Sequence, residues 1–344
     1  VDEVIMGCVL QAACKPNPAR QSAMAAGISD AAPAYTINQL CLSGLQAIIS
    51  AAQKVQCGDA SLIVAGGMES MSRAPYILDK ARTGYRMGNG EVYDSMLYDA
   101  LVDAFDGRHM GACGDACAAK CGFTKQDQDN FGAESYRRAI RATADGTFAK
   151  EITPVEVVTR KGTTVVDKDE EPQRFDEAKF FTLRPAFGKD GTVTAGNASS
   201  VDDGGAAVVV VDAATAKSKG VKVEAKVLGY QVAAREPAWF TLAPIKALDG
   251  LLKKLKWGVG DVDLFEVNEA FSAVAMAAMK ELSIPHDKIN VNGGAVALGH
   301  PIGCSGARVV ATLINALRTR GQKRGIAALC VGGGMGGAIA LELV

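Results

Sequence analysis

Apolar residues along the chain fall into two kinds of pattern. Three runs are almost continuously apolar, Ser61 to Ala65, Ala206 to Val211 and Ile326 to Val331, as expected for strands that are covered on both faces. Between such runs, apolar residues recur every three or four positions from Leu45 to Val55 and from Val310 to Leu317, which is the period of an amphipathic helix. Buried strands that alternate with helices predict an α/β fold built in layers.

This pattern occurs twice. In the first half, Cys41–Gly44 opens a helix that leads to an apolar strand ending in Gly66–Met68. In the second half, Cys304–Gly306 opens a helix that leads to a strand followed by Gly332–Met335. The self-similarity predicts two halves of duplicated α-β-α layers.

The second half starts with elements that have no counterpart in the first. A strand-like segment, Val221 to Tyr230, and a helix-like segment, Pro244 to Lys256, precede Asp261–Phe265, whereas the matching Val1–Ile5 stands at the amino terminus. We therefore expect an amino-terminal βα unit to be missing. The first-half sheet should then have one strand fewer than the second and an open edge.

The sequence becomes polar and charged between the two halves. The predicted division is 1–71 for a truncated first half, 72–195 for an inserted loop domain, 196–220 for the end of the first half and 221–344 for the second half. We expect the insertion to consist of loops and short helices with surface character. Such a lobe is suited to hold the tail of a substrate.

Composition narrows the classes of function. The 344 residues include 37 basic and 38 acidic ones, for a net charge of −1, so nucleic acid is not an expected partner. No segment is typical of a membrane span or of a secretory signal, and we expect no membrane partner. Nine cysteines without the spacing of a disulfide scaffold favour a reducing, cytoplasmic location.

Two reactive residues stand at predicted helix starts or turns. Cys41 lies where the free N–H groups and the dipole of a helix favour a thiolate, although a small buried residue is an equal alternative. His300, one of three histidines, lies on a turn flanked by Gly299 and Pro301. Because this turn occupies the place in the second repeat that faces the helix start of the first, a functional role is favoured over a structural one.

Two further segments add polar groups near strand ends. Cys330 is at the carboxyl end of a predicted strand, where open α/β sheets bind their ligands. Asn268 and Glu269 enter an apolar helix, and taken alone they are better explained as a helix cap with a satisfied carboxylate.

A stripe of cysteines suggests a metal site. Cys113, Cys117 and Cys121 follow His109 at intervals of four residues. On a helix each step of four rises about 6 Å and rotates by about 40°, so one zinc ion could bind only neighbouring pairs. We interpret the cysteines as small buried apolar residues and predict no metal site.

Several segments together resemble the thiolase family, from Val1 to Val344. They are Gly66–Ser72, Gly84–Gly90, Thr194–Ser199 and Gly299–Gly303, together with the four segments that carry Cys41, Asn268, His300 and Cys330. His109–Gly111 and Cys330–Gly334 are similar to the biosynthetic acetyl-CoA C-acetyltransferase branch of that family. The resemblance implies condensation of two acetyl-CoA molecules to acetoacetyl-CoA, and the reverse thiolysis.

The resemblance also implies roles for individual residues. Cys41 matches the nucleophile that carries the acyl group, His300 the residue that removes its proton, and Cys330 the acid/base thiol that acts on the second acetyl-CoA. His300 with a water held by Asn268 would stabilise the enolate oxygen. The backbone N–H groups of Cys41 and Gly332 would stabilise the tetrahedral intermediate.

Binding of the substrate is implied in the same way. The positions that match the lining of the family's pantetheine tunnel are Leu101, His109, Met110, Phe187, Ser199, Ala270 and Phe271. Coenzyme A thioesters are then the substrates, and no other cofactor is expected. The family resemblance, with the Gly-rich and basic stretch Ala81 to Gly90, predicts a homo-oligomer, either a dimer or a tetramer.

Other functions remain as alternatives. A 3-ketoacyl-CoA thiolase with a broader chain-length range is one, because Leu42 replaces a usual glycine beside the nucleophile and Trp239 and Phe240 lie near the expected acyl pocket. A decarboxylating ketoacyl synthase would need a second histidine near Cys330, which the sequence lacks. A non-catalytic acyl or lipid carrier is disfavoured because all four catalytic segments are present.

Overall fold

Two four-stranded sheets, with helices between them and on their outer faces, form the framework. A computed structural model describes all 344 residues, Val1–Val344. The strands are β1 Glu3–Gly7, β2 Ala34–Ile37, β3 Leu62–Ser70, β4 Tyr76–Ile77, β5 Tyr93–Asp94, β6 Val155–Thr159, β7 Gly162–Val166, β8 Asp203–Val211, β9 Ala225–Ala234, β10 Leu264–Val267, β11 Arg324–Val331 and β12 Met335–Leu343. The helices are α1 Pro18–Ala25, α2 Ser43–Cys57, α3 Met110–Cys121, α4 Lys125–Ala144, α5 Glu177–Phe180, α6 Ala213–Lys219, α7 Ala243–Leu255, α8 Ser272–Leu282, α9 Ala295–Leu298 and α10 Ser305–Thr319.

The strand order shows the duplication. The first sheet has the order β2-β1-β3-β8, with β1 parallel to β2 and β3, and β8 antiparallel to β3. The second has the order β10-β11-β12-β9, with β10 parallel to β11, and β12 antiparallel to both β11 and β9. The triplets β1-β3-β8 and β10-β11-β12 therefore correspond, as the sequence repeat predicts.

The prediction that the first sheet has one strand fewer is wrong, because each sheet contains four strands. The two fourth strands lie at opposite edges. In the first sheet β2 pairs with β1, whereas the equivalent edge of the second sheet has only a single bridge between Phe265 and Ile289. In the second sheet β9 pairs with β12, and the equivalent edge of β8 has no neighbouring strand. Val209 on β8 is consequently 55% exposed.

Helices α2 and α10 lie between the two sheets. Helix α2 packs on β1 and β3, and α10 packs on β10 and β11 while also touching β8. Their apolar faces share one core with both sheets, which includes Leu45, Ile48, Ile49, Val310 and Leu313. Helix α1 covers the outer side of the first sheet, and α7 covers the outer side of the second. No helix has the length and apolar character needed to cross a membrane.

The starts of α2 and α10 are in backbone contact. A Cβ atom added at Gly44 would lie 2.8 Å from the backbone nitrogen of Ala307, and one added at Gly306 would overlap with the backbone nitrogen of Leu45. Only glycine permits such an approach at both positions. The first turns of the two helices, one from each half, are thereby fixed side by side.

The insertion differs from its prediction. It contains the two-stranded pairs β4-β5 and β6-β7, but also the 12-residue helix α3 and the 20-residue helix α4. Helix α4 is polar on average, yet Phe131, Tyr136, Ala139 and Ala142 form a buried stripe on it. Because alanine and glycine contribute half of the buried face, its helical period is weak in the sequence.

Helix α4 is also bonded to loops of the second half. Ser135 Oγ donates to the buried Glu269 carboxylate at 2.7 Å. Arg138 Nη1 donates to the carbonyl oxygen of Ile289 at 2.7 Å, and Arg141 Nη2 donates to that of Val291 at 2.8 Å. The insertion is thus tied to the segment that leads to α9 and His300.

We expect Gly306→Ala to destabilise the protein and to reduce its activity, because the added methyl group must force α2 and α10 apart. Overpacking of this kind typically costs about 1 to 3 kcal/mol of unfolding free energy. Denaturant unfolding measures the loss. Gly260→Ala is the matched control, since a Cβ atom there meets no atom within 4 Å. Equal stability of the two variants would contradict the proposed constraint.

Candidate active site

Cys41 lies in a tight turn before α2. The preceding Leu40 has a left-handed backbone, with φ of 49°, which is uncommon for a residue with a branched side chain. Ser43 holds the turn, because its hydroxyl accepts from the Gln39 N–H at 2.8 Å and donates to the Leu40 carbonyl oxygen at 2.6 Å. Cys41 is 8% exposed and packs against Ile302, two residues beyond His300.

The Cys41 thiol is neutral in this environment. Burial raises its pKa to about 11, although the backbone N–H groups of Gly332 and of Cys41 itself lower it in part. The backbone N–H groups thus act in the expected direction, but the loss of solvation on burial outweighs them. The same two N–H groups are nevertheless directed at the thiol.

His300 follows α9 and lies inside the protein, 6% exposed. Its backbone N–H donates to the Ser200 carbonyl oxygen at 3.0 Å. The Ser305 hydroxyl donates to the carbonyl oxygen of Pro301 at 3.0 Å, so its oxygen accepts from Nδ1–H of His300 at 2.6 Å. These bonds assign the tautomer in which Nε2 carries no proton. Burial, followed by the charge of Arg308, lowers the imidazole pKa to about 3.

Asn268 directly follows β10 and contacts the imidazole. Its backbone N–H donates to the Ala328 carbonyl oxygen at 2.9 Å, in continuation of the sheet. Its Nδ2 lies 3.4 Å from both Nδ1 and Nε2 of His300. Because these two distances are equal, the amide lies beside the imidazole ring and does not point along the lone pair of one ring nitrogen. An oxygen atom bound next to both groups could accept from the amide.

Cys330 lies near the carboxyl end of β11 and is fully buried. Burial, followed by the charge that Cys41 would carry, raises its pKa well above the usual value for a thiol. The two thiols are thus close enough to oppose each other's ionisation. The turn from β11 to β12 contains Gly333 and Gly334, with φ of 79° and 84°.

The positions predicted to bind coenzyme A surround these residues. His109 stacks on Phe187 with ring centroids 4.7 Å apart, and Phe187 meets Phe271 edge-on at 6.5 Å. Ser199 donates through its N–H and its hydroxyl to the Ala270 carbonyl oxygen, at 3.1 and 3.0 Å.

Two more of the predicted positions approach the thiols directly. Met110 packs so closely over Gly332 that a Cβ atom there would overlap its methyl group. Leu101 packs in the apolar cluster that contains Cys41. The structure thus places several of the predicted site residues in contact with one another, and they come from both halves and from the insertion.

Family comparisons agree with this arrangement. The model of the thiolase N-terminal domain matches residues 1–214, and the model of the thiolase C-terminal domain matches residues 221–343. The chain belongs to the thiolase family. The resemblance drawn from the sequence motifs is confirmed, as is the thiolase fold.

Similar proteins are known from bacteria and plants. An acetyl-CoA acetyltransferase of Pseudomonas aeruginosa is 48% identical over 343 residues, which cover 99% of this thiolase chain and 87% of the relative. Acetyl-CoA acetyltransferase 2 of Arabidopsis thaliana is 46% identical, with coverage of 100% and 86%.

Solved structures include close neighbours of the fold. The crystal structure of the acetyl-CoA acetyltransferase of Bacillus anthracis superposes with a TM-score of 0.97 at 42% identity and covers 100% of this chain and 87% of that one. The Acat5 thiolase of Ascaris suum, in complex with coenzyme A, has a TM-score of 0.95 at 40% identity, with coverage of 100% and 88%.

The cysteine stripe of this thiolase lies inside the protein. Cys113, Cys117 and Cys121 on α3 are buried in apolar clusters, and Cys117 contacts the carbonyl oxygen of Ala273. No group of three or more His, Cys, Asp or Glu side chains is placed to hold a metal ion. Trp239 packs in the same cluster, with its ring 4.0 Å from Lys120 Nζ.

Sequence reasoning missed several polar residues that hold the site of this thiolase. Glu69 on β3 is 5% exposed and accepts from the N–H groups of Val9, Leu10 and Gly303, so it joins the first half to the His300 loop. Ser305 was also missed. Glu69 occurs in the quoted segment Gly66–Ser72, and a carboxylate within a glycine-rich strand was the available signal.

The buried imidazole predicts a specific pH dependence of stability. Because the pKa of His300 is lowered to about 3 from an ordinary 6.5, only the unfolded chain takes up this proton as the pH falls below about 6.5. Wild type should lose about 2 kcal/mol of unfolding free energy relative to His300→Asn between pH 7 and pH 5. Denaturant titrations measure the difference. A constant difference would contradict the buried, neutral assignment.

Proposed function

We propose that the chain is an acetyl-CoA C-acetyltransferase, which condenses two acetyl-CoA molecules to acetoacetyl-CoA and CoA and catalyses the reverse thiolysis. The observation that supports this proposal is the pairing of two buried thiols, Cys41 from the first half and Cys330 from the second, in a site where Ile302 of the His300 loop shares an apolar cluster with Cys41. One thiol can hold an acyl group while the other moves a proton. A single-step acyl carrier would need only one of them.

In the first half-reaction, Nε2 of His300 takes the proton of Cys41 as the sulfur attacks the thioester carbonyl of acetyl-CoA. The tetrahedral oxyanion accepts from the backbone N–H groups of Cys41 and Gly332. When the carbon–sulfur bond to CoA breaks, the departing thiolate takes a proton from Cys330. The products are acetyl-Cys41, free CoA, an imidazolium and a Cys330 thiolate.

In the second half-reaction, the Cys330 thiolate removes a proton from the methyl group of a second acetyl-CoA. The enolate oxygen is stabilised by His300, now protonated, and by the side-chain amide of Asn268 or a water that it holds. The enolate carbon attacks the acetyl group, the bond to Cys41 breaks, and Cys41 recovers its proton from His300. Every group has then returned to its initial state.

Because the pKa values of both thiols are raised, the resting site does not favour a permanent ion pair between a thiolate and an imidazolium. The raised pKa values favour the neutral form of both Cys41 and Cys330 in the resting site, and each thiol loses its proton only in the course of the cycle. Since acyl and proton transfers are all accounted for by protein groups and coenzyme A thioesters, the cycle uses no further cofactor.

The substrate's pantetheine arm would lie along the aromatic wall of His109, Phe187 and Phe271. The remaining predicted contacts, Leu101, Met110, Ser199 and Ala270, complete a narrow and largely apolar channel. We propose acetyl-CoA, and not a longer acyl-CoA, as the substrate because the apolar cluster that contains Cys41 also contains the bulky side chains of Met71 and Ile302. Comparing the rates of CoA-dependent cleavage of acetoacetyl-CoA and of longer 3-ketoacyl-CoA substrates tests this preference.

The roles of the two thiols can be separated. We expect Cys41→Ser to form no acetyl-enzyme with acetyl-CoA, and Cys330→Ser to become acetylated on Cys41 without completing condensation. Mass spectrometry of the intact protein and a spectrophotometric condensation assay measure the two steps. Cys57→Ser, at an exposed cysteine, is the control and should retain full activity. An acetyl adduct on Cys41→Ser, or condensation by Cys330→Ser, would contradict the assignment.

We also propose that the chain works as a homo-oligomer with a dimer as the minimum. Residues 76 to 98 of the insertion expose apolar side chains by half or more, including those of Tyr76, Leu78, Met87, Val92 and Tyr98. Such a patch is large for a monomer and typical of an interface.

A cytoplasmic location is part of the proposal, because the reaction needs reduced thiols and all nine cysteines are free.

Light scattering tests the oligomer. We expect a dimer or tetramer at micromolar concentration for wild type, and a shift to smaller species for Met87→Lys, because the patch would have to bury the new charge. Met24→Lys, at an exposed methionine on α1, is the matched control. A fully active wild-type monomer would contradict the proposal.

A further inference from the structure

One partly buried cation near the site has no part in the cycle described above. Arg308 lies in the first turn of α10, three residues after Ser305, and its side chain is 19% exposed. Its Nη1 donates to Oε1 of Glu266 at 3.2 Å, and its Nη2 donates to Oδ1 of Asn268 at 3.4 Å. Glu266 lies in β10, and Asn268 directly follows that strand.

The contact with Asn268 decides which end of its side-chain amide faces His300. A guanidinium only donates, so it must face the amide oxygen, and Nδ2 is then directed to the imidazole. If the amide were reversed, its oxygen would stand beside the imidazole and its NH₂ group would meet the guanidinium. The reversed side chain would offer no donor to an oxygen in the cavity.

Glu266 fixes the guanidinium in turn. It is 2% exposed, and the Arg308 guanidinium is its ion-pair partner at 3.2 Å. Burial raises the carboxyl pKa to about 8, an effect that the charge of Arg308 opposes. Arginine suits this position because its planar guanidinium can donate to Glu266 and Asn268 at the same time. The single ammonium group of a lysine would donate to only one of them at a time.

We propose that Arg308 is a positioning residue that orients the Asn268 amide so that its N–H groups face the enolate oxygen. This inference rests on the proposed acetyltransferase function. It predicts that loss of the guanidinium acts mainly on the second half-reaction, which uses the amide, and less on the acetylation of Cys41. Arg308→Lys, which keeps the charge that lowers the His300 pKa, separates the orientation of the amide from the effect of that charge.

A double-mutant cycle provides the test. Arg308→Met, Asn268→Ala and the double variant are compared with wild type for the rate of Cys41 acetylation, for kcat and KM of condensation, and for Tm. We expect Arg308→Met to lower kcat about 10- to 100-fold, as is usual when a supporting contact is lost, with little change in KM or in the acetylation rate. In the Asn268→Ala background, the same substitution should lower kcat by less than about threefold, because its partner is already absent.

Two further variants make the outcome specific. Arg308→Lys keeps the charge and should still lower kcat, with Tm close to wild type; it decides the matter if Arg308→Met does not fold. Arg318→Met is the matched control on the same helix, where the arginine pairs with Glu224 at the surface, and it should leave kcat unchanged.

The results that overturn the inference are distinct from those that overturn the function. An active wild-type enzyme whose Arg308 and Asn268 substitutions multiply independently would refute the positioning role alone. So would equal losses in acetylation and condensation, or a kcat within twofold of wild type for Arg308→Met and Arg308→Lys. A folded wild-type chain that neither acetylates Cys41 nor condenses acetyl-CoA would refute both proposals.

Discussion

The backbone contact between the first turns of α2 and α10 is the constraint on which the rest of the site depends. Each helix begins with a serine and a glycine, Ser43-Gly44 and Ser305-Gly306, and the glycines let the two helix starts touch. Cys41 lies just before one helix and His300 just before the other. The contact therefore limits how near the residues before one helix can come to those before the other.

A second physical feature of the site is that burial favours the uncharged form of its reactive groups. Burial removes water from Cys41, Cys330 and His300, and this favours the uncharged state of each. Charge then appears only in pairs during the proposed cycle, an imidazolium with a thiolate or an oxyanion. A helix start near Cys41 lowers the energy of these transient anions, although it is too weak to create a resting thiolate.

Much of this could be predicted from the sequence, for identifiable reasons. Glycine turns mark Cys41, His300 and Cys330, and the repeat places the His300 turn where it faces the helix start that follows Cys41. The helical insertion segment α4 was not predicted, because its buried face is built partly from small residues. Arg308 and Glu266 were missed because nothing in their spacing shows that a helix turn and a strand end meet. The equal strand number was missed because the repeat alignment identified β9 as unmatched but could not foresee that β2 would pair at the opposite edge.

The bonds from α4 to the second half have a consequence for how the family could diversify. Ser135 reaches the carboxylate of Glu269, next to Asn268, and Arg138 and Arg141 hold the carbonyl groups of the chain that leads to His300. If the insertion holds the substrate tail as proposed, a modular enzyme could exchange it for another lobe without other effects. Here the exchange would also remove supports of the catalytic loops. A chimera that carries a foreign insertion on this framework would therefore need matching polar residues on α4. A change of substrate range by this route would also change the catalytic rate.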